Sequence, residues 1–184
     1  GAQPATPERV ASASAAVVDP SSPAAPPLAD DDRPLAVNDV TVNEASPWLT
    51  LAVSGAAGQY VRLEAASGSA TLGTDTGTQL QVLVNGAWVD YTTATAIPAG
   101  GELLVRVAIK DDATYEGAEA FQLAVTPSNG TTAFGTATVL DDGTGAIYPD
   151  NTTGNPDPNA LKDDDRAVTV NNVAVNENSP YAVF

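Results

Sequence analysis

Residues 103–112 read LLVRVAIKDD. Leu103, Val105, Val107 and Ile109 alternate with Leu104, Arg106, Ala108 and Lys110, so one face is apolar and the other carries two cations. A period of two is the side-chain rhythm of a β-strand, and the two closing aspartates mark its end at the surface. The same rhythm continues outward in both directions. Upstream lie Val40, Val42 and Glu44, then Leu49, Leu51 and Val53, then Val61, Leu63 and Ala65, then Leu80, Val82 and Val84. The last run stops at Asn85-Gly86, a two-residue hairpin signal, with Trp88 and Tyr91 on the return. Downstream come Phe121, Leu123 and Val125, then the stretch from Ala133 to Leu140. Seven or eight short strands within residues 30–142 predict an all-β fold, a Greek-key β-sandwich. No segment has convincing helical periodicity.

Composition removes several kinds of function. The 184 residues hold 23 acidic and 7 basic side chains, a formal net charge of −16, and no His, Cys or Met. Without His there is no imidazole base and no Ser-His-Asp relay. Without Cys there is no thiolate chemistry, disulfide or iron–sulfur site. Seven scattered cations on so acidic a chain cannot make the phosphate footprint of a nucleic-acid binder. No apolar run approaches the roughly 18 residues of a membrane-spanning helix. Paired carboxylates could in principle cleave glycosides, but no sugar platform or distinctive pocket accompanies them. The expectation is a protein that is not an enzyme. The chain opens on Gly1 rather than Met, which points to a processed or excised polypeptide.

Four zones follow from composition. Residues 1–29 are rich in Ala, Ser and Pro and read as a semi-stiff tail or linker. Residues 30–142 are the sandwich. Residues 143–162 (GTGAIYPDNTTGNPDPNALK) are a turn-rich connector. Residues 163–184, DDDRAVTVNNVAVNENSPYAVF, repeat DDDRPLAVNDVTVNEASPWLTL at 30–51, identical at 12 of 22 positions. A shared strand pattern alone would not reproduce the DDDR, VNE and SP elements in register. The closing segment therefore reads as the first strands of a second copy of the domain, and a tandem array is implied. Lacking the rest of a sandwich, those strands are candidates to pair with another chain.

The acidic residues gather where strands should end: Asp30 to Asp32, Glu44, Asp75, Asp111-Asp112, Glu116 with Glu119, and Asp141-Asp142. Carboxylates brought to one pole repel each other unless a cation sits among them. Many hard oxygen ligands on loops suit Ca²⁺, whereas the plain alternative is a solubilising acidic surface. Glu44 favours the cation, because it shares the inward parity of Val40 and Val42 and a buried carboxylate needs a partner.

These residues carry a family resemblance. VAIKDDATYEGAEAFQLAV (107–125) followed by GTATVLDD (135–142) resembles the Calx-β motif. VNEAS (42–46) is similar to its first-strand glutamate and GSATLGTD (68–75) to its metal-binding loop. The resemblance implies an immunoglobulin-like sandwich binding Ca²⁺ through Glu44, Asp75, Asp111, Asp112, Glu116, Glu119, Asp141 and Asp142. Two departures stand out: Gly143 follows Asp141-Asp142 where a third acid is usual, and Thr76 replaces an aromatic after Asp75. The resemblance further implies a secreted or cell-surface structural module of a bacterial adhesin or fibre. Its partners would be neighbouring repeats or copies of itself, or a surface glycan or protein receptor. A carbohydrate-binding module using Trp48 or Trp88 is the rival expectation, although both rings suit packing better.

Overall fold

The computed structural model describes residues 30–184, so the tail reading for 1–29 lies outside the described residues. Ten strands and no helix make up this part of the chain. They are β1 (Ala36–Val37), β2 (Val40–Asn43), β3 (Trp48–Ser54), β4 (Tyr60–Ser67), β5 (Gln81–Val84), β6 (Ala87–Asp90), β7 (Thr95–Ala96), β8 (Glu102–Ala108), β9 (Glu119–Pro127) and β10 (Ala133–Leu140). One sheet has the order β1-β3-β8-β5-β6 and the other β2-β10-β9-β4-β7. All pairs are antiparallel except β2 with β10. The protein is an all-β sandwich, as the alternation predicts.

Each apolar stripe seen in the sequence faces the space between the sheets. Leu49, Leu51 and Val53 of β3 meet Leu103, Val105 and Val107 of β8 in one sheet. Val61 and Leu63 of β4, Phe121, Leu123 and Val125 of β9, and Ala137 and Val139 of β10 supply the other. Burying each Leu, Val or Phe contributes about 1.5–3 kcal/mol relative to exposure, which makes this stripe the main stabilising term. The Asn85-Gly86 turn forms as expected, both residues having positive φ (51° and 78°), as a type I′ hairpin demands.

Between β1 and β2 the chain changes sheet, and polar side chains take over the ladder. Asn38 Oδ1 accepts the amide of Ala52 in β3 (2.7 Å), and Asp39 Oδ1 accepts that of Thr136 in β10 (2.7 Å). The crossing therefore leaves neither sheet with an orphaned donor there.

The connector does not leave the domain. After β10 it crosses to the edge of β2, where the amide of Asn43 donates to Ala146 O (2.9 Å) and that of Ala146 to Thr41 O (3.1 Å). Gly145 permits this approach: its φ is +95°, and a Cβ would stand 2.4 Å from the Val42 carbonyl carbon. The strap buries Ile147, bridges Tyr148 to Trp48 and receives the Trp88 indole N–H on Asn151 O (2.7 Å). It then returns to its starting point. Fully buried Asn43 holds both ends, donating to Thr144 O (2.9 Å) and Asp163 O (3.0 Å) and accepting from Asp163 N (2.7 Å).

The second copy repeats the local geometry of the first without forming its strands. Asn176, Asn178, Ser179 and Tyr181 reproduce the turn hydrogen bonds of Asn43, Ala45, Ser46 and Trp48. Residues 166–184 pair with no strand among the described residues. In the first copy β1 leans on β3 and β2 on β10, and the counterpart of β10 is not contained in these 184 residues.

Candidate metal centre

Strands β2, β8 and β10 end, and β9 begins, at one pole of the sandwich. The parity of each strand decides which carboxylate turns inward there. Glu44 continues the inward series of Val40 and Val42 and is 7% exposed; Asp141 continues that of Ala137 and Val139 and is 3% exposed. Asp142, one residue on, points outward and caps the next turn by accepting from Thr144 N (3.0 Å) and its hydroxyl.

Around Glu44 and Asp141 the loops assemble three overlapping groups of carboxylates: Glu44, Asp111 and Asp163; Glu44, Asp112 and Glu116; and Asp75, Glu116 and Glu119. In each group the candidate ligand oxygens lie within 4.8 Å of one another. Shared membership of Glu44 and Glu116 joins the groups into one row. Asp75 also braces its own loop, accepting Thr71 N on Oδ2 (2.6 Å), and Asp112 accepts Thr114 N (2.7 Å). Asp141 lines the same cleft as Glu44, Asp75, Glu116 and Glu119. Its Oδ2 accepts the amides of Glu116 and Gly117, whereas its Oδ1 is buried and accepts nothing.

Electrostatics confirm the crowding. Burial, then Asp112 and Asp111, push Glu44 up to about 7. Burial, then Asp75 and Glu116, push Glu119 up to about 7. Loss of water, then Asp163 and Asp112, raises Asp111, and Glu116 is raised by burial followed by Asp75. Asp142 is instead held low, first by the Thr144 hydroxyl, in keeping with its outward position. Among the described residues the ion pairs are Arg33–Asp31, Arg106–Asp150 and Arg166–Asp164, and none neutralises a carboxylate of the row.

Six of the eight sequence-derived ligands therefore enter the row: Glu44, Asp75, Asp111, Asp112, Glu116 and Glu119. Asp141 stands behind it, and Asp142 turns away. Thr76, at the position where an aromatic was expected, is fully buried and bonds Gly77 O through its hydroxyl (2.9 Å). Asp163 joins the row although the sequence reading did not include it. The one sequence signal for it was the acid lacking at Gly143, followed 20 residues later by the triplet 163–165.

The two tryptophans serve elsewhere. The Arg106 guanidinium carbon lies 3.6 Å from the Trp48 ring centroid and 4.3 Å from that of Trp88. Arg106 also donates to Asp150 of the strap (2.6 Å) and to Gln81 (2.9 Å). The ladder pins the strap to the outer face of the β3-β8-β5 sheet.

No protein-family model matches the sequence, and no curated protein does. Among solved structures the chain is similar to the apo form of the Calx CBD1 domain, at 22% identity and a TM-score of 0.43, covering 59% of this chain and 97% of that one. It is also similar to the calcium binding domain CBD12 of CALX1.1, at 22% identity and a TM-score of 0.45, covering 59% and 44% respectively. A bacterial immunoglobulin-like domain from the M. primoryensis ice-binding adhesin matches at 20% identity and a TM-score of 0.26, over 59% and 94%. At these scores the chemistry of the pole rests on its own residues. No helix among the described residues is long and apolar enough to cross a membrane.

Proposed function

We propose that this is a calcium-stabilised, non-enzymatic structural module, one unit of a tandem array in an extracellular adhesin or fibre. The observation that carries the calcium reading is the buried Oδ1 of Asp141, unpartnered among the described residues, behind a row of carboxylates that no basic side chain among the described residues neutralises. Removing a carboxylate from water without a partner costs several kcal/mol, and a divalent cation supplies that partner. The array reading is supported by the 12 of 22 identities between residues 30–51 and 163–184 and by their shared turn geometry. Secretion and adhesion fit the acidic composition and the resemblance noted in the sequence. A glycan-binding module would need open aromatic faces, and Arg106 covers those of Trp48 and Trp88 that face each other.

A cation that binds only the folded state at a hundredfold excess over Kd contributes about 2.7 kcal/mol, roughly 5–10 °C in a domain of this size. Millimolar Ca²⁺ should therefore raise the melting temperature by that amount, and Asp111→Asn with Asp112→Asn should remove most of the gain. Identical melting curves in Ca²⁺ and in chelator would reduce the row to surface charge.

A further inference from the structure

We infer that Asp163 and Asp165, the first and third aspartates of the second copy, are ligands of the first domain's cation site, so that the ion fastens one repeat to the next. The inference rests on the calcium reading and names residues from outside the sandwich. The backbone delivers them. Gly143 N donates to Asp163 O (2.8 Å), Asp165 N donates to Asp141 O (3.0 Å), and Asp142 and Asp164 form an antiparallel bridge. Along an extended chain alternate side chains share a side. Asp163 and Asp165 accordingly face the pole, while Asp164 faces away and receives the Arg166 guanidinium on both oxygens (2.8 and 2.6 Å). Asp163 thereby joins Glu44 and Asp111 in one ligand group.

A second observation comes from buried oxygens. Asp165 Oδ2 and Asp141 Oδ1 are both buried without a hydrogen-bond partner among the described residues, and their two segments are hydrogen-bonded to each other. Two bare carboxylate oxygens on adjoining segments at an acidic pole are unfavourable unless a cation or a donor satisfies them.

The first copy shows what the motif does at its other end. Arg33 forks Asp31 (2.9 and 2.5 Å) as Arg166 forks Asp164, but this triplet lies at the opposite pole, where the Asn129 side chain donates to Asp30 (2.6 Å) and its backbone N–H to Asp31 O (3.1 Å). One DDDR element can thus sit on the far pole of its own sandwich and on the cation pole of the sandwich before it. A cation held there fixes the angle between repeats.

The test uses the full chain with Ca²⁺ alone as ligand, measured by titration calorimetry and by protease cleavage between residues 143 and 184. Asp163→Asn with Asp165→Asn should weaken Ca²⁺ binding at least tenfold, leave the melting temperature in chelator unchanged or raised, and abolish Ca²⁺ protection of the junction. Asp164→Asn, which breaks only the outward fork, should bind as the unaltered protein does. Unaltered affinity and protection in the Asp163/Asp165 variant, with binding lost in Asp111→Asn/Asp112→Asn, would overturn the junction role and leave the metal centre intact. No Ca²⁺ binding by the unaltered chain would overturn both.

Discussion

Glu44 and Glu119 set the pH behaviour of the metal-free domain. Each is raised from an ordinary 4.5 to about 7, first by burial and then by neighbouring carboxylates. Between those values the folded state holds more protons than the unfolded state, so stability falls as pH rises. Below about 4.5 this contribution is complete, and above about 7 it is gone; for Glu44 it amounts to no more than about 3 kcal/mol. Calcium and protons compete for the same oxygens, so Ca²⁺ should stabilise strongly at pH 7.5 and little at pH 5. Melting curves in Ca²⁺ and in chelator at both pH values check this, and an equal gain at the two would refute it. Glu44→Gln should flatten the chelator profile. These residues were legible because inward parity needs only one strand: Glu44 follows Val40 and Val42. Asp142 lies outside the row because an Asp-Asp pair at a strand end puts only one of its carboxylates inward, and resemblance treats the two alike.

Among the elements, the strands were legible and the strap was not. The stretch from Ala133 to Leu140 forms β10 with those bounds, and Asn85-Gly86 turns β5 into β6. Alternation and turn chemistry are local signals, so sequence carries them. Strands β1 and β7, two residues each, are too short to show a period. The strap has Ile147 as its single well-buried apolar residue, and distant partners hold it: Asn43, Trp48, Trp88 and Arg106. Its two anchors should differ in strength. Arg106 is 6% exposed between two indole rings, while the Asp150 side chain is 72% exposed. Two desolvated cation–π contacts and a charged hydrogen bond predict a loss of about 2–4 kcal/mol for Arg106→Ala. Asp150→Ala should cost under about 1 kcal/mol, as exposed ion pairs do. Chemical denaturation followed by tryptophan fluorescence measures both, and equal losses would mean the ion pair, not the stacking, anchors the strap.

At the scale of the whole molecule, the sandwich is saturated and the second copy is not. Val168, Val170, Tyr181, Val183 and Phe184 are 92%, 72%, 80%, 78% and 75% exposed. Their first-copy counterparts include Leu35 and Val37, packed on the core, and Leu51, buried in it. A segment with strand-forming alternation and no strand to lie against presents both apolar side chains and free backbone groups, the features by which edges recruit another chain. In its own sandwich the homologous positions are taken, since β1 and β2 already lie beside β3 and β10. Equivalent pairing would come from a further repeat or from a second molecule, and a contact of the second kind repeats head to tail without closing. Deleting residues 167–184 separates these contributions. Because the deleted side chains are exposed, the melting temperature of the remaining domain should stay the same, and Ca²⁺ binding should persist through Asp163 and Asp165. Sedimentation velocity in Ca²⁺ should show the full chain associating as its concentration rises while the truncated chain remains monomeric. If both sediment as the same monomer, strand donation between molecules is wrong.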